Sequence, residues 1–353
     1  MKTLSKLTAL AMAAAMTLSL TACTVGGNTG GNPQTSTNPS ASQPQESSPA
    51  PSGSQSTEKD SYVVGICQLA PHDALDAATQ GFKDAITAAL GDAVEFKEGN
   101  AGGESNNCAT IIDGFLADNV DLILANATAS LQAAASATDT VPVLGTAVTN
   151  YGVALDLDST EDGVLGGNIS GTSDLAPLDQ QADLLEELFP ASEYPNVGLV
   201  YCSAEPNSIF QVETIQGYLE EKGYTCAQYA FTDVNDLSSV TQTACDNSDV
   251  IYIPTDNTAA NNAETIANVV IPAGVPVIAG ESGICSGCGV ATLSIDYYEL
   301  GQITGEMAVK ILTGEESVSE MAISYDTTLT KMYNEVNCQA LGITPPEGYE
   351  PIA

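Results

Sequence analysis

The chain has 353 residues, 43% of them hydrophobic, enough to build the cores of two ordinary domains. It carries 45 Asp and Glu against 8 basic residues, all of them Lys, for a formal net charge of −37. This balance argues against nucleic acid, whose phosphates need clustered Lys and Arg, and against strongly anionic ligands; a neutral or zwitterionic small molecule suits it better.

The N-terminus, MKTLSKLTALAMAAAMTLSLTAC, has Lys2 and Lys6 before an apolar run from Leu7 to Leu20 and then small residues, the pattern of a secretory signal peptide over residues 1–22. The run is short for a membrane span of about 20 residues. Its ending, Leu20-Thr21-Ala22-Cys23, resembles a bacterial lipobox, which implies diacylation of Cys23 and attachment to the extracytoplasmic face of the cell membrane. Residues 23–60 then hold the lipidated Cys and a stretch of Gly, Asn, Ser, Thr, Pro and Gln too poor in apolar side chains to fold, expected to act as a disordered tether.

Beyond the tether, strand-like and helical patterns alternate. Tyr62–Leu69 is followed by the helical pattern Ala74–Leu90, Val94–Lys97 by Asn106–Asp118, and Asp121–Ala127 by Ala129–Thr138, before a further strand pattern at Val141–Val148. Apolar runs of four to eight residues between amphipathic stretches of ten or more predict an α/β fold with parallel sheets. A second series begins at Asn196 and repeats the first in order: VVGICQL matches VGLVYCS, Gln80-Gly81-Phe82 matches Gln216-Gly217-Tyr218, DLILANAT matches DVIYIPTD, and VPVLGT matches VPVIAGE. Two similar Rossmann-like units therefore stand about 130 residues apart.

Several buried-strand patterns end in small polar residues. Tyr62–Leu69 ends at Gln68 and His72, DLILANAT at Asn126 and Thr128, Val197–Cys202 at Ser203, Glu205, Asn207 and Ser208, DVIYI at Thr255, Asp256 and Asn257, and Val275–Gly280 at Glu281 and Ser282. Ligands of open α/β sheets bind beyond the carboxyl ends of the strands, facing helix N-termini. Ser, Thr, Asp and Asn are also the preferred helix N-caps, so any single tip could serve only its own helix. Five tips across a duplication point to a ligand cleft between two facing units.

Eight Cys remain besides Cys23, and an extracytoplasmic location permits disulfides whose connectivity the spacing leaves open. Cys285-Ser286-Gly287-Cys288 is the one close pair; without further ligands nearby it reads as a loop disulfide or two free thiols, not a metal site. No nucleophile elbow, dinucleotide or phosphate-loop fingerprint appears, and the single His, His72, has no evident Ser partner, so a hydrolase is the weakest reading and no cofactor is expected.

QLAPHDALDAATQGF, GTAVTN, GGNISGTSD, AEPNSIFQVE, IPTDNTAANNAETI and SIDYYELGQITGEMAVKILTGE resemble, in order from Tyr62 to Ile343, the substrate-binding lipoproteins of ABC transporters linked to tryptophan and tyrosine uptake. The resemblance implies a type I periplasmic-binding fold with three crossovers between lobes. Lobe 1 is then residues 61–172 plus 294–320, and lobe 2 is 173–293 plus 321–353, with Gly166–Asp174 as first hinge. It also implies an importer whose partners are a solute, ABC permease subunits and the membrane. With no Arg to grip a carboxylate, backbone N–H groups and the hydroxyls of Thr128, Ser173, Ser208 and Thr255 are the candidates for that end of an amino acid. Asp256, Glu281 and Asp174 are candidates for its ammonium group, although Asp174 could cap the helix after it. His72, Gln68, Asn207, Asn257 and Tyr297 complete the expected site, with Gln68 and Asn207 meeting across the cleft. The function expected is an extracytoplasmic receptor closing two lobes on an aromatic amino acid; a lipoprotein sensor of the same fold is the alternative.

Overall fold

The computed structural model describes Lys59 and residues 61–157, 163–345 and 347–352. The expected signal peptide, Cys23 and nearly all of the tether lie outside the described residues. In chain order, β1 (Tyr62–Gln68), α1 (Asp73–Leu90), β2 (Val94–Asn100), α2 (Ser105–Ala117), β3 (Leu122–Asn126), α3 (Thr128–Ala137), β4 (Val143–Thr146), α4 (Tyr151–Leu155) and β5 (Ile169–Ser173) form the first series. The second comprises α5 (Leu178–Leu188), β6 (Asn196–Cys202), α6 (Pro206–Glu221), β7 (Thr225–Phe231), α7 (Val234–Cys245), β8 (Val250–Ile253), α8 (Asn257–Asn261), α9 (Ala263–Ala273), β9 (Val277–Ala279), α10 (Ser282–Gly287) and β10 (Ala291–Ser294). The chain ends with α11 (Tyr297–Leu312), β11 (Ser324–Tyr325), β12 (Thr330–Tyr333), α12 (Glu335–Leu341) and β13 (Glu350–Pro351).

These strands form two sheets, of order β11-β5-β4-β3-β1-β2 and β13-β12-β10-β9-β8-β6-β7. Pairing is parallel throughout except between β10 and β12. Continuous apolar runs such as Leu122–Ala125 and Val250–Ile253 are fully buried because each sheet carries an apolar core on both faces. The fold is thus α/β with two similar lobes. The chain passes between them three times: after β5, after β10 and after β11.

Two expected boundaries shift. The third crossing falls between Tyr325 and Thr330, not at residue 321, because Ser324 and Tyr325 pair in parallel with Thr172 and Ser173 of the first sheet. Within Gly166–Asp174, the expected first hinge, Ile169–Ser173 is a sheet strand. Gly171, at φ 144°, is required there by packing, since a Cβ would come 2.1 Å from the Gly145 carbonyl oxygen. The segment that passes between lobes is the short Asp174–Pro177 stretch that follows. Of CSGC, Cys285–Gly287 closes α10 and Cys288 is its C-cap; of the two expected readings the free thiols hold, and the eight described Cys are all free.

The return of α11 to lobe 1 breaks the symmetry of the repeat. α11 packs along α1 so closely that a Cβ on Gly81 would lie 2.1 Å from the Tyr298 carbonyl oxygen, and one on Gly301 2.1 Å from that of Ala78. Gly217, the counterpart of Gly81 in α6, has nothing within 4 Å. Gly81→Ala is therefore expected to destabilise by about 1–3 kcal/mol through overpacking, whereas Gly217→Ala stabilises by roughly 0.5–1 kcal/mol through helix propensity. Denaturant melts of both variants check this; equal effects would refute it.

Candidate ligand-binding site

The strand tips of the two sheets meet between the lobes around a small buried chamber. Its walls include His72, Leu75, Ala147, Thr149, Asp174, Asn207, Thr255, Asp256, Asn257, Glu281 and Tyr297. The free space inside is about 10 Å³. Asn207 and Asn257 also line a second, larger cavity of about 510 Å³, so these two amides stand between chamber and cavity. The cavity lies against the first residues of α2 and α3, including Ser105, Asn106 and Thr128, and against Glu205 and Thr258 from the other lobe.

Two of the interlobe segments place chamber groups. Asp174 follows β5 and Tyr297 opens α11; the Tyr297 hydroxyl donates to Asp174 Oδ2 at 3.0 Å, binding the first crossing to the second. The Asp296 N–H donates to Asp326 Oδ2 at 2.9 Å and ties in the third. Asp174 caps no helix, since the N-cap of α5 is Pro177. Its Oδ1 is buried with no hydrogen-bond partner; the Thr149 hydroxyl lies near enough to favour the charged form without completing a bond of normal geometry. Burial is the larger influence and raises the Asp174 pKa above the usual carboxylate value.

His72 comes from the N-cap position of α1, where its side chain makes no capping bond. Its Nε2 lies 3.3 Å from Asn257 Oδ1, a contact that crosses between the lobes, while Nδ1 is buried without a partner. Burial lowers the His72 pKa and keeps the ring neutral, against the pull of Glu205, Asp76 and Asp73.

The remaining expected residues divide by what already holds them. Asp256 lines the chamber, but Oδ1 accepts from the Ala259 N–H at 2.8 Å and Oδ2 from the Cys202 N–H at 2.7 Å, so it caps α8 and ties that helix to β6. Glu281 likewise caps α10, accepting from the Gly283 and Ile284 N–H groups. Asp256 and Glu281 thus line the chamber with each oxygen already accepting one backbone N–H, whereas Asp174 Oδ1 has no donor. Gln68 is turned away, with its amide N–H donated to Ala70 O and Asp76 and its oxygen taken by Thr79. It makes no hydrogen bond to Asn207; the bond across the lobes is His72 to Asn257. Ser173 donates to Thr149 O and accepts from the Leu175 N–H, and Ser208 is buried against Asn207 and Asp256, so neither hydroxyl lines chamber or cavity. Thr255 is on the chamber wall, its carbonyl accepting from Asn207 and Gln211.

Side-chain caps do not divide by lobe: α4, α7, α8, α10, α11 and α12 have them, whereas α1, α2, α3, α5, α6 and α9 have none. The first-turn N–H groups of α3 open beside Thr128 onto the large cavity. Ala127, just before α3, holds φ 89°, and Ala147 on the chamber wall holds φ 51°, strained values for residues with a Cβ. Glu205 reads in the sequence as an ordinary helix-start acid, because most of its partners lie on α8.

With this geometry in place the comparisons are decisive. The family model for ABC transporter substrate binding proteins matches residues 63–349. The chain belongs to this family. Among its relatives is a tyrosine-binding protein of Clostridioides difficile (strain R20291), 32% identical over 281 residues that cover 79% of this chain and 80% of the relative. Among solved structures, an ABC domain from Streptococcus pneumonia in complex with L-Trp matches with TM-score 0.76 and 29% identity, covering 82% of this chain and all of that one. The ligand-free, open structure of a substrate binding protein with adhesive properties from Clostridium difficile matches with TM-score 0.64 and 33% identity, covering 82% of this chain and 99% of that one. This substrate-binding protein accordingly has the type I periplasmic-binding architecture.

Acids whose pKa burial raises set a pH dependence for this substrate-binding protein. Burial pushes Glu281 up to about 7 and also raises Asp174 and Asp256. The folded protein then holds protons that the unfolded chain has already released, so their contribution is fully present below the unfolded carboxylate pKa and is lost as pH rises through about 7. His72, lowered by burial, opposes them singly. The melting temperature is expected to fall between about pH 5 and pH 8, and Glu281→Gln to flatten that slope. Separately, Asp256→Ala is expected to cost about 2–4 kcal/mol by uncapping α8 and stranding the Cys202 N–H, measured by denaturant unfolding.

Proposed function

We propose that this ABC transporter substrate-binding protein is an extracytoplasmic, lipid-anchored importer receptor that closes its lobes on an aromatic amino acid. The observation that carries the ligand class is the pair of unpartnered acceptors in the chamber, Asp174 Oδ1 and His72 Nδ1. Buried acceptors without donors cost free energy, and an ammonium group supplies donors and neutralises the carboxylate at once. Asp174 is the acid for this task, since Asp256 and Glu281 serve their helices.

The chamber is too small for more than the amino group, and the rest of the ligand extends past Asn207 and Asn257 into the 510 Å³ cavity, a volume suited to a small solute. There the uncapped start of α3, with Thr128, offers N–H groups to a carboxylate in place of the missing Arg. The tyrosine-binding relative and the L-Trp complex support an aromatic side chain. The lobes part to admit ligand, since the chamber lies between them. The better superposition on the L-Trp complex than on the open structure, despite lower identity, supports reading the present arrangement as drawn together.

The chain has no Trp, so bound tryptophan can be followed by its own emission when excited at the red edge of its absorption. Saturable blue-shifted emission, with a melting temperature raised by tryptophan or tyrosine, is the expected outcome. No shift with either, and a shift with a different solute, would discard the aromatic ligand. Asp174→Asn is expected to weaken binding about tenfold to a hundredfold by removing a charge-assisted hydrogen bond.

A further inference from the structure

Glu205 precedes α6 but makes no capping bond to its backbone. Its carboxylate reaches the beginning of α8 instead: Oε1 accepts from the Thr258 N–H at 2.8 Å and hydroxyl at 2.7 Å, while Oε2 accepts from the Asn257 N–H at 3.0 Å. Oε2 also takes the side-chain amide N–H groups of Asn257 at 2.9 Å and Asn207 at 3.2 Å. A carboxylate can only accept, so the Asn257 side chain must turn its nitrogen to Glu205 and its oxygen the other way. That oxygen is the atom 3.3 Å from His72 Nε2. An amide oxygen also only accepts, so Nε2 must carry the ring proton. In a neutral imidazole this leaves Nδ1 as a bare lone pair, and Nδ1 is the buried, unpartnered atom on the chamber wall.

We propose that Glu205 is a positioning residue for ligand specificity: through Asn257 it holds His72 in the Nε2–H tautomer, so that Nδ1 faces the chamber as an acceptor for a ligand amine. The opposite tautomer would turn an N–H donor to the chamber wall instead. The inference rests on the proposed amino-acid ligand, but the tautomer can be read without any ligand.

His72 is the single histidine of the chain, so ¹⁵N-histidine labelling reports one ring. In the purified ligand-free protein the Nε2 resonance is expected to be of the protonated type and Nδ1 of the unprotonated type. A ring in the Nδ1–H form, or a charged ring at neutral pH, overturns the relay outright. Glu205→Gln frees the Asn257 amide to rotate and is expected to give mixed tautomers and about tenfold weaker tyrosine binding. It is also expected to lose discrimination against 3-(4-hydroxyphenyl)propanoate, the analogue without the amine. Should Glu205→Gln fail to fold, Asn257→Ala removes the acceptor directly and is expected to abolish the tautomer preference. Thr258→Val, which loses a Glu205 bond outside the relay, is expected to lower stability while leaving the ring spectrum unchanged. An unchanged ring and affinity in Glu205→Gln refute the proposal. Failure of the wild-type protein to bind tyrosine, with the Nε2–H ring observed, would refute the ligand reading and the selection of an amine while leaving the Glu205 relay standing.

Discussion

The Tyr297 hydroxyl has one proton to give, and it goes to Asp174 Oδ2. Two of the three segments that join the lobes meet in that bond, in a region where burial penalises charge and donors are scarce. Once Tyr297 is occupied, the second oxygen of Asp174 has no donor. His72 Nδ1 is in the same position a few side chains away on the wall. Two buried atoms on one wall are thus left without a hydrogen-bond partner, which is costly in a core.

The two lobes share an ancestral pattern of strand, polar tip and helix, but not every tip is used in the same way. Lobe 2 turns Asp256 and Glu281 onto their own helices, and Asp256 also holds β6. Lobe 1 leaves α1, α2 and α3 without side-chain caps, and the unbonded N–H groups at those starts supply positive potential in a chain that has no Arg.

Much of the fold was legible because its signals are local. Buried parallel strands show as apolar runs, their crossover helices as amphipathic ones, and the repeat exposed the second lobe. What was not legible shares one cause. Gly166–Asp174 looks like a hinge because glycine is common in hinges, yet Gly171 is there for the Gly145 carbonyl and Tyr151 that crowd it from β4 and α4. Ser324 and Tyr325 carry no mark of the sheet they join, since a two-residue strand has no period to detect.

The same limit runs through the site. Sequence alone determined the α/β class, the duplication, the absence of any Arg for a carboxylate and the collection of polar residues at strand tips. It put Asp256 and Glu281 ahead of Asp174 as acceptors, because nothing in a carboxylate's own position tells which donors its oxygens have found. Only the tertiary structure separated them, by filling both oxygens of Asp256 and Glu281 from backbone N–H groups and leaving Asp174 Oδ1 and His72 Nδ1 unpartnered. Hydrogen bonding is decided between residues far apart in the chain: Tyr297 lies 123 residues from Asp174 and Asn257 lies 185 from His72. Satisfaction of a polar atom is a property of the packed surroundings and cannot be carried by the residue itself.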